Sequence, residues 1–156
     1  MEITVEKRVK AIIEGMGLDY ICESWARSNA VLDRYRRRAD KRVKADDGHK
    51  LPVGIYIQPT SGTLNIAERG SVTDAPSCLV AFADEMPFDY TGRQAQEVSE
   101  RMKALAEEFL RRVNADEWLK PISGNIAYNI AYDRLDANLC VVTITATIEE
   151  AWGRCI

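Results

Sequence analysis

The stretch from Thr91 to Val113 constrains the fold more than any other part of the chain. Val98, Met102, Leu105, Phe109 and Val113 recur at spacings of four and three, which places them on one face of a helix. Thr91 and Gln94 stand where a capping box needs them, the hydroxyl on one orphan backbone N–H and the side-chain amide on another. Arg111 and Arg112 fall in the last turn, where the helix dipole favours positive charge, and Asn114 is the expected C-terminal cap. A helix with a single apolar stripe must bury it against another layer. An earlier stripe, Val5, Val9, Ile12 and Met16 with Ile13 beside it, predicts a second helix that stops at Gly15 or Gly17.

The rest of the chain supplies strands to cover these stripes. Asp19–Trp25 is a short strand candidate, and Val53–Gln58 is rich in β-formers. Pro59-Thr60-Ser61-Gly62 is a turn signal, after which Thr63–Ile66 resumes as a strand. Residues 67–76 are polar and read as turn-rich, whereas Cys78–Ala83 is apolar throughout, as in a strand covered on both faces. A C-terminal hairpin is expected over about 124–150. Ile126, Tyr128, Ile130 and Tyr132 alternate with polar or small residues, residues 134–138 turn, and Leu139–Glu150 returns. The return strand sets Cys140, Val142, Ile144, Ala146 and Ile148 on one face. Val141, Thr143, Thr145 and Thr147 lie on the other, as in a half-exposed antiparallel strand. Strands and helices do not alternate regularly. The expected class is therefore α+β, a mainly antiparallel sheet with two helices packed on one face and a C-terminal β-hairpin. The 156 residues fit a single domain.

Residues 33–50 break the pattern. They hold eight Lys or Arg and four Asp or Glu with almost no large apolar side chain, and read as a long charged loop with a helical turn near Val31–Tyr35. Arg34, Arg36, Arg37, Arg38, Lys41, Arg42 and Lys44 make it a candidate interface or phosphate-contact loop. Tyr35 is its only aromatic, so it is not a base-stacking platform. The whole chain carries −3, which argues against a protein dedicated to wrapping duplex DNA. Contact with an acidic neighbouring subunit is the other use for such a stretch, because the remainder of the chain is net acidic. No apolar run is long enough for a membrane span, and the opening residues mix both charges. The expected location is cytoplasmic, with no membrane partner.

Catalytic chemistry has few footholds. His49 is the one histidine and lies in the charged stretch, which leaves neither a triad nor a zinc site an obvious imidazole. Cys22, Cys78, Cys140 and Cys155 are far apart, form no CxxC pair and are expected as reduced thiols, three of them within strands. Asp84-Glu85 and Glu149-Glu150 read as strand-terminating polar residues, with a carboxylate pocket near Asp84 as the enzymatic alternative. Neither GxGxxG nor a phosphate loop occurs. Trp25, Trp118 and Trp152 are expected to pack in the core or at an edge, Trp152 also serving as an interface anchor. No metal, cofactor or enzymatic activity is expected.

Residues 51–56 (Leu-Pro-Val-Gly-Ile-Tyr), the amphipathic helix within 88–114, and residues 132–139 leading into Val142-Thr143-Ile144 together set an order of elements. That order, over nearly the whole chain, resembles the tail-completion or tail-terminator proteins of long-tailed phages and prophages. The resemblance implies a small α+β domain that assembles into a ring at the end of the tail tube or at the head–tail junction, with tail-tube or connector proteins as partners. It implies that the charged loop faces a neighbouring subunit or the lumen. It also makes Val141, Thr143, Thr145 and Thr147 a candidate interface strand that pairs or packs with the next copy. The alternative is a nucleic-acid or protein binding module acting through residues 34–44.

Overall fold

The computed structural model describes residues 4–24, 27–28, 51–87, 89–134 and 139–155. Among these residues the helices α1 (Val5–Gly15) and α2 (Gly92–Ala115) accompany strands β1 (Asp19–Glu23), β2 (Val53–Ile57), β3 (Gly62–Ile66), β4 (Ser71–Glu85), β5 (Ala127–Arg134), β6 (Leu139–Thr147) and β7 (Arg154–Cys155). The main path of the sheet runs β1-β2-β4-β6-β5, while β3 and β7 join it through β4. The class is α+β, as expected.

Both helices form where the apolar stripes and caps direct. Thr4 caps α1 by accepting from the Lys7 N–H at 3.2 Å. At the other end Gly17 takes φ +80 and donates to the Glu14 carbonyl, while the Leu18 N–H reaches the Ile13 carbonyl. These two bonds make a Schellman ending, which only a residue free to adopt left-handed backbone completes without strain. In α2 the capping box is present in both directions: Gln94 N–H to Thr91 Oγ1 at 3.2 Å, and Thr91 N–H to Gln94 Oε1 at 2.9 Å. The cap at the far end is Asp116 rather than Asn114. Asn114 instead grips Ile122, accepting its N–H at 2.7 Å and donating to its carbonyl at 3.0 Å, and so fixes the chain's path after the helix.

The two helices lie on one face of the sheet. Val9, Ile13, Val98, Met102, Phe109 and Val113 bury against Tyr56, Val80, Phe82, Val142 and Ile144, with the Phe82 and Phe109 rings 5.8 Å apart and tilted. The next residue along each strand points the other way, and Ile21, Val53, Ile55, Ala81, Ala83 and Val141 form a second buried cluster there. β2 is consequently buried at every position, and the Cys78–Ala83 stretch is nearly so.

Two features depart from the sequence expectation. Strands β1 and β2 pair in parallel, Asp19 opposite Val53 through Glu23 opposite Ile57. The long connection between them permits this, since parallel neighbours need an extended crossover. The polar stretch after Ile66 is not all turn. Only residues 67–70 reverse the chain, and Ser71 begins a 15-residue strand. Pro76 sits inside that strand, where its carbonyl still accepts from the Ile148 N–H at 3.3 Å. Of the two placements expected for Trp118 and Trp152, core or edge, their exposures of 36% and 65% leave the edge.

Strand β4 does two jobs along its length. Its C-terminal half, from Ser77, pairs with β6 and β2 at the centre of the sheet. Its N-terminal half pairs with β3 on one side and with β7 on the other. The β3–β4 hairpin is thus an arm extending from the main sheet.

Candidate interaction surfaces

Strand β6 does not occupy the place its threonine-rich face suggests. It lies between β4 and β5, hydrogen-bonded on both edges. The expectation that it pairs with a neighbouring copy is therefore corrected: no edge is open to receive a strand. Val141 is 1% exposed and belongs to the second core cluster. Thr143 is half-buried, and only Thr145 and Thr147 are exposed. Alternation along a strand reports which face is wet and carries no information about which strand is central.

The basic residues Arg34, Arg36, Arg37, Arg38, Lys41, Arg42 and Lys44 lie outside the described residues, as do His49, Trp25, the turn expected near 31–35 and the turn residues 135–138.

The open edges lie elsewhere. Among the described residues β3 pairs only with β4, β5 only with β6, and β1 only with β2. All five residues of β3 are exposed, Leu64 at 66% and Ile66 at 69%. On β5, Tyr128 and Tyr132 are exposed, and Lys103 from α2 stands 4.6 Å over the Tyr128 ring. Nothing in the sequence pattern separates these residues from ordinary half-buried strand positions. The signal lies in the pairing.

The arm is held by a carboxylate. Glu149 Oε1 accepts from Asn65 Nδ2 at 2.6 Å, Thr73 Oγ1 at 2.8 Å and Lys120 Nζ at 3.0 Å. The Lys120 contact, then that from Asn65, holds the Glu149 carboxyl below its ordinary value. Glu150 is buried and accepts the Asp74 N–H at 2.7 Å. The pair is more than a polar strand ending, because it joins β3 and β4 to the chain following α2. Glu149→Gln should lower stability by about 1 kcal/mol at neutral pH. A carboxyl whose folded value is depressed contributes fully above its unfolded value, near 4.3, and loses that contribution as pH falls through the folded value. Urea unfolding at a series of pH values should accordingly show the difference at pH 7 and its progressive loss as acid protonates the folded carboxyl.

Two grooves flank α2. One of about 600 Å³ is lined by Glu85, Gln94, Glu97 and Arg101 among others. Asp84 beside it accepts the Glu85 N–H at 2.8 Å and pairs with Arg101 at 3.4 Å. A concavity therefore does lie near Asp84, and among the described residues its lining offers no imidazole, hydroxyl or thiol. The other, about 480 Å³, lies between α1 and the end of α2, beside Arg8, Arg112, Asp116 and Trp118. There Arg8 Nε donates to Asp116 Oδ2 at 3.0 Å and joins the two helices. Trp152 closes over the adjoining turn, its indole N–H on the Glu117 carbonyl at 3.0 Å.

The described thiols Cys22, Cys78 and Cys140 are free. Burial pushes all three thiols up, Cys140 to about 11, which leaves little thiolate at neutral pH. Tyr20 donates to Glu6 Oε1 at 2.6 Å, and burial, reinforced by that bond, raises its hydroxyl. The Tyr56 hydroxyl lies 3.5 Å from Cys78 Sγ and is raised in the same way. These groups tie α1, β1, β2 and β4 together. Among the described residues no group of three or more His, Cys, Asp or Glu side chains is placed to hold a metal ion. No described helix is long and apolar enough to cross a membrane.

No protein-family model matches the chain, and no curated protein is similar to it in sequence.

Proposed function

We propose that the chain is a non-catalytic structural subunit that self-assembles into a ring, of the kind that ends a phage or prophage tail tube or occupies the head–tail junction. It would be made in the cytoplasm and carried into the virion, with tail-tube or connector proteins as its neighbours. The observation that carries the self-assembly is where apolar surface remains exposed. Among the described residues Leu64, Ile66, Tyr128, Tyr132 and Trp152 are exposed, the first four of them on strands paired along one side only. Exposed apolar groups at open edges invite association, which folds that remain monomeric guard against. The order of elements supports the tail assignment, and the net −7 of the chain outside residues 33–50 suits contact between that basic stretch and a neighbouring copy.

Light scattering over a hundredfold range of concentration tests this. A mass that rises to a fixed multiple of the monomer is expected, and a monomer at every concentration and salt contradicts it. Deleting residues 34–47 should reduce that mass if the basic stretch contributes to the contact. Salt-sensitive binding of DNA by a monomer, abolished by Arg36→Ala with Arg37→Ala, would favour the binding-module alternative instead.

A further inference from the structure

The order of backbone hydrogen bonds along the arm shows what β3 offers. Ser77 N–H reaches the Ser61 carbonyl and Ala67 N–H the Ser71 carbonyl. Antiparallel pairing alternates, so with Thr63 opposite Ala75 and Asn65 opposite Thr73 the odd-numbered residues bond to β4. Gly62, Leu64 and Ile66 therefore turn their N–H and C=O groups outward. The same residues include the two most exposed large aliphatic side chains among the described residues.

Open edges are commonly guarded by Lys, Pro or a bulge. β3 has none of these over its five residues, GTLNI. The outer strand of the main sheet matches it: residues 127–131, AYNIA, are equally uncharged and hold a regular register before the irregularity that follows Ala131. Among the described residues one copy thus carries two edge strands with an uncharged five-residue stretch, at separate places on its surface, whereas the remaining edge of the main sheet, β1, carries Asp19 and Glu23.

From this matched pair we infer that β3 of one copy adds to β5 of the next, extending the sheet from molecule to molecule. The inference rests on the self-assembly reading and names its contact. A foreign strand would cover one edge and leave the other bare. A second copy covers both with a single head-to-tail contact, which closes into a ring when its rotation permits. Leu64 and Ile66 would then pack beside the exposed tyrosines of the neighbour.

The arm's own fold does not depend on these side chains. Glu149 holds it through Asn65 and Thr73, and Gly62 lets it approach β4, since a Cβ there would stand 2.8 Å from Pro76 Cα. Leu64→Lys with Ile66→Lys removes one edge, and Asn129→Lys with Tyr132→Lys removes the other. Each double variant should keep the wild-type circular dichroism and melting temperature. Each should lose the assembled mass and run as a monomer. Mixed in equal amounts, the two should form a dimer and nothing larger, because one intact β3 and one intact β5 remain. Wild-type mass retained by the folded Leu64→Lys/Ile66→Lys chain would overturn the inference while leaving self-assembly intact. A dimer formed by the Asn129→Lys/Tyr132→Lys chain alone would overturn it in favour of a two-fold β3–β3 contact. A wild-type chain that is monomeric throughout would overturn the self-assembly reading itself.

Discussion

Replacing Phe109 by alanine is expected to lower the unfolding free energy by about 3–5 kcal/mol. Phe109 is 0% exposed and meets the Phe82 ring where α2 crosses the middle of the sheet. The substitution removes the largest apolar side chain of the α2 stripe and leaves a cavity that neighbours on two layers cannot collapse to fill. Met102 and Val113 belong to the helix, while Val80 and Val142 are fixed by strand pairing on both sides. A domain of this size has about 5–15 kcal/mol in total, so the loss is a large share of it. The urea midpoint should fall steeply with little change in slope. Phe109→Leu, which refills most of the volume, should cost well under half as much.

Gly54→Val should be comparably severe, at about 3 kcal/mol or more. Gly54 lies in β2 between Tyr20 and Phe82, beneath α1. A Cβ built there would stand 2.6 Å from Ile13 Cγ2, and Ile13 is itself wholly buried. That methyl is fixed on a β-branched side chain and cannot swing away, so α1 must lift or the strand must shift. The cause can be isolated by relief. Ile13→Ala alone creates a cavity, but combined with Gly54→Val it removes the overlap and supplies the missing volume. The double variant should therefore be less destabilised than the two separate effects predict when added. Strict additivity in the urea midpoints would mean that α1 does not seat on Gly54.

The parts of this fold that were legible in the sequence are those governed by local rules. α2 was legible because Thr91, Gln94 and the stripe through Phe109 write both a start and a buried face. α1 was legible from its stripe and from Gly17, which ends it in left-handed backbone. The alternation of β6 was legible, but its central position and the burial of Val141 on the face expected to be half-exposed were not, because pairing partners are set by the whole sheet. The first half of β4 was hidden by Pro76 and by Ser71, Thr73 and Asp74. Those residues suit an arm that is half in solvent and bonded on alternate positions, and they look like turn residues to any local reading. The parallel β1–β2 pair was hidden for a related reason, since strand direction depends on the connection and not on the strands.

The interaction surface followed the same division. Tyr128 and Tyr132 were legible as strand residues and Trp152 as an interface anchor, but exposure depends on what each strand lies beside. The sequence drew attention to Val141 through Thr147 by composition, whereas among the described residues the edge strands are others, β3 and β5 with their exposed apolar side chains and β1 at the far end of the main sheet. Asn114 and Glu149 were read as a cap and a strand ending. Both make contacts across the fold, to Ile122 and to Asn65, Thr73 and Lys120, that no local pattern encodes.

Electron microscopy of the purified chain at high concentration tests the central claim most directly. Assembly through a repeated head-to-tail contact predicts closed rings of one size and one rotational symmetry. Single globular particles at every concentration, or open chains without a fixed subunit number, would contradict it.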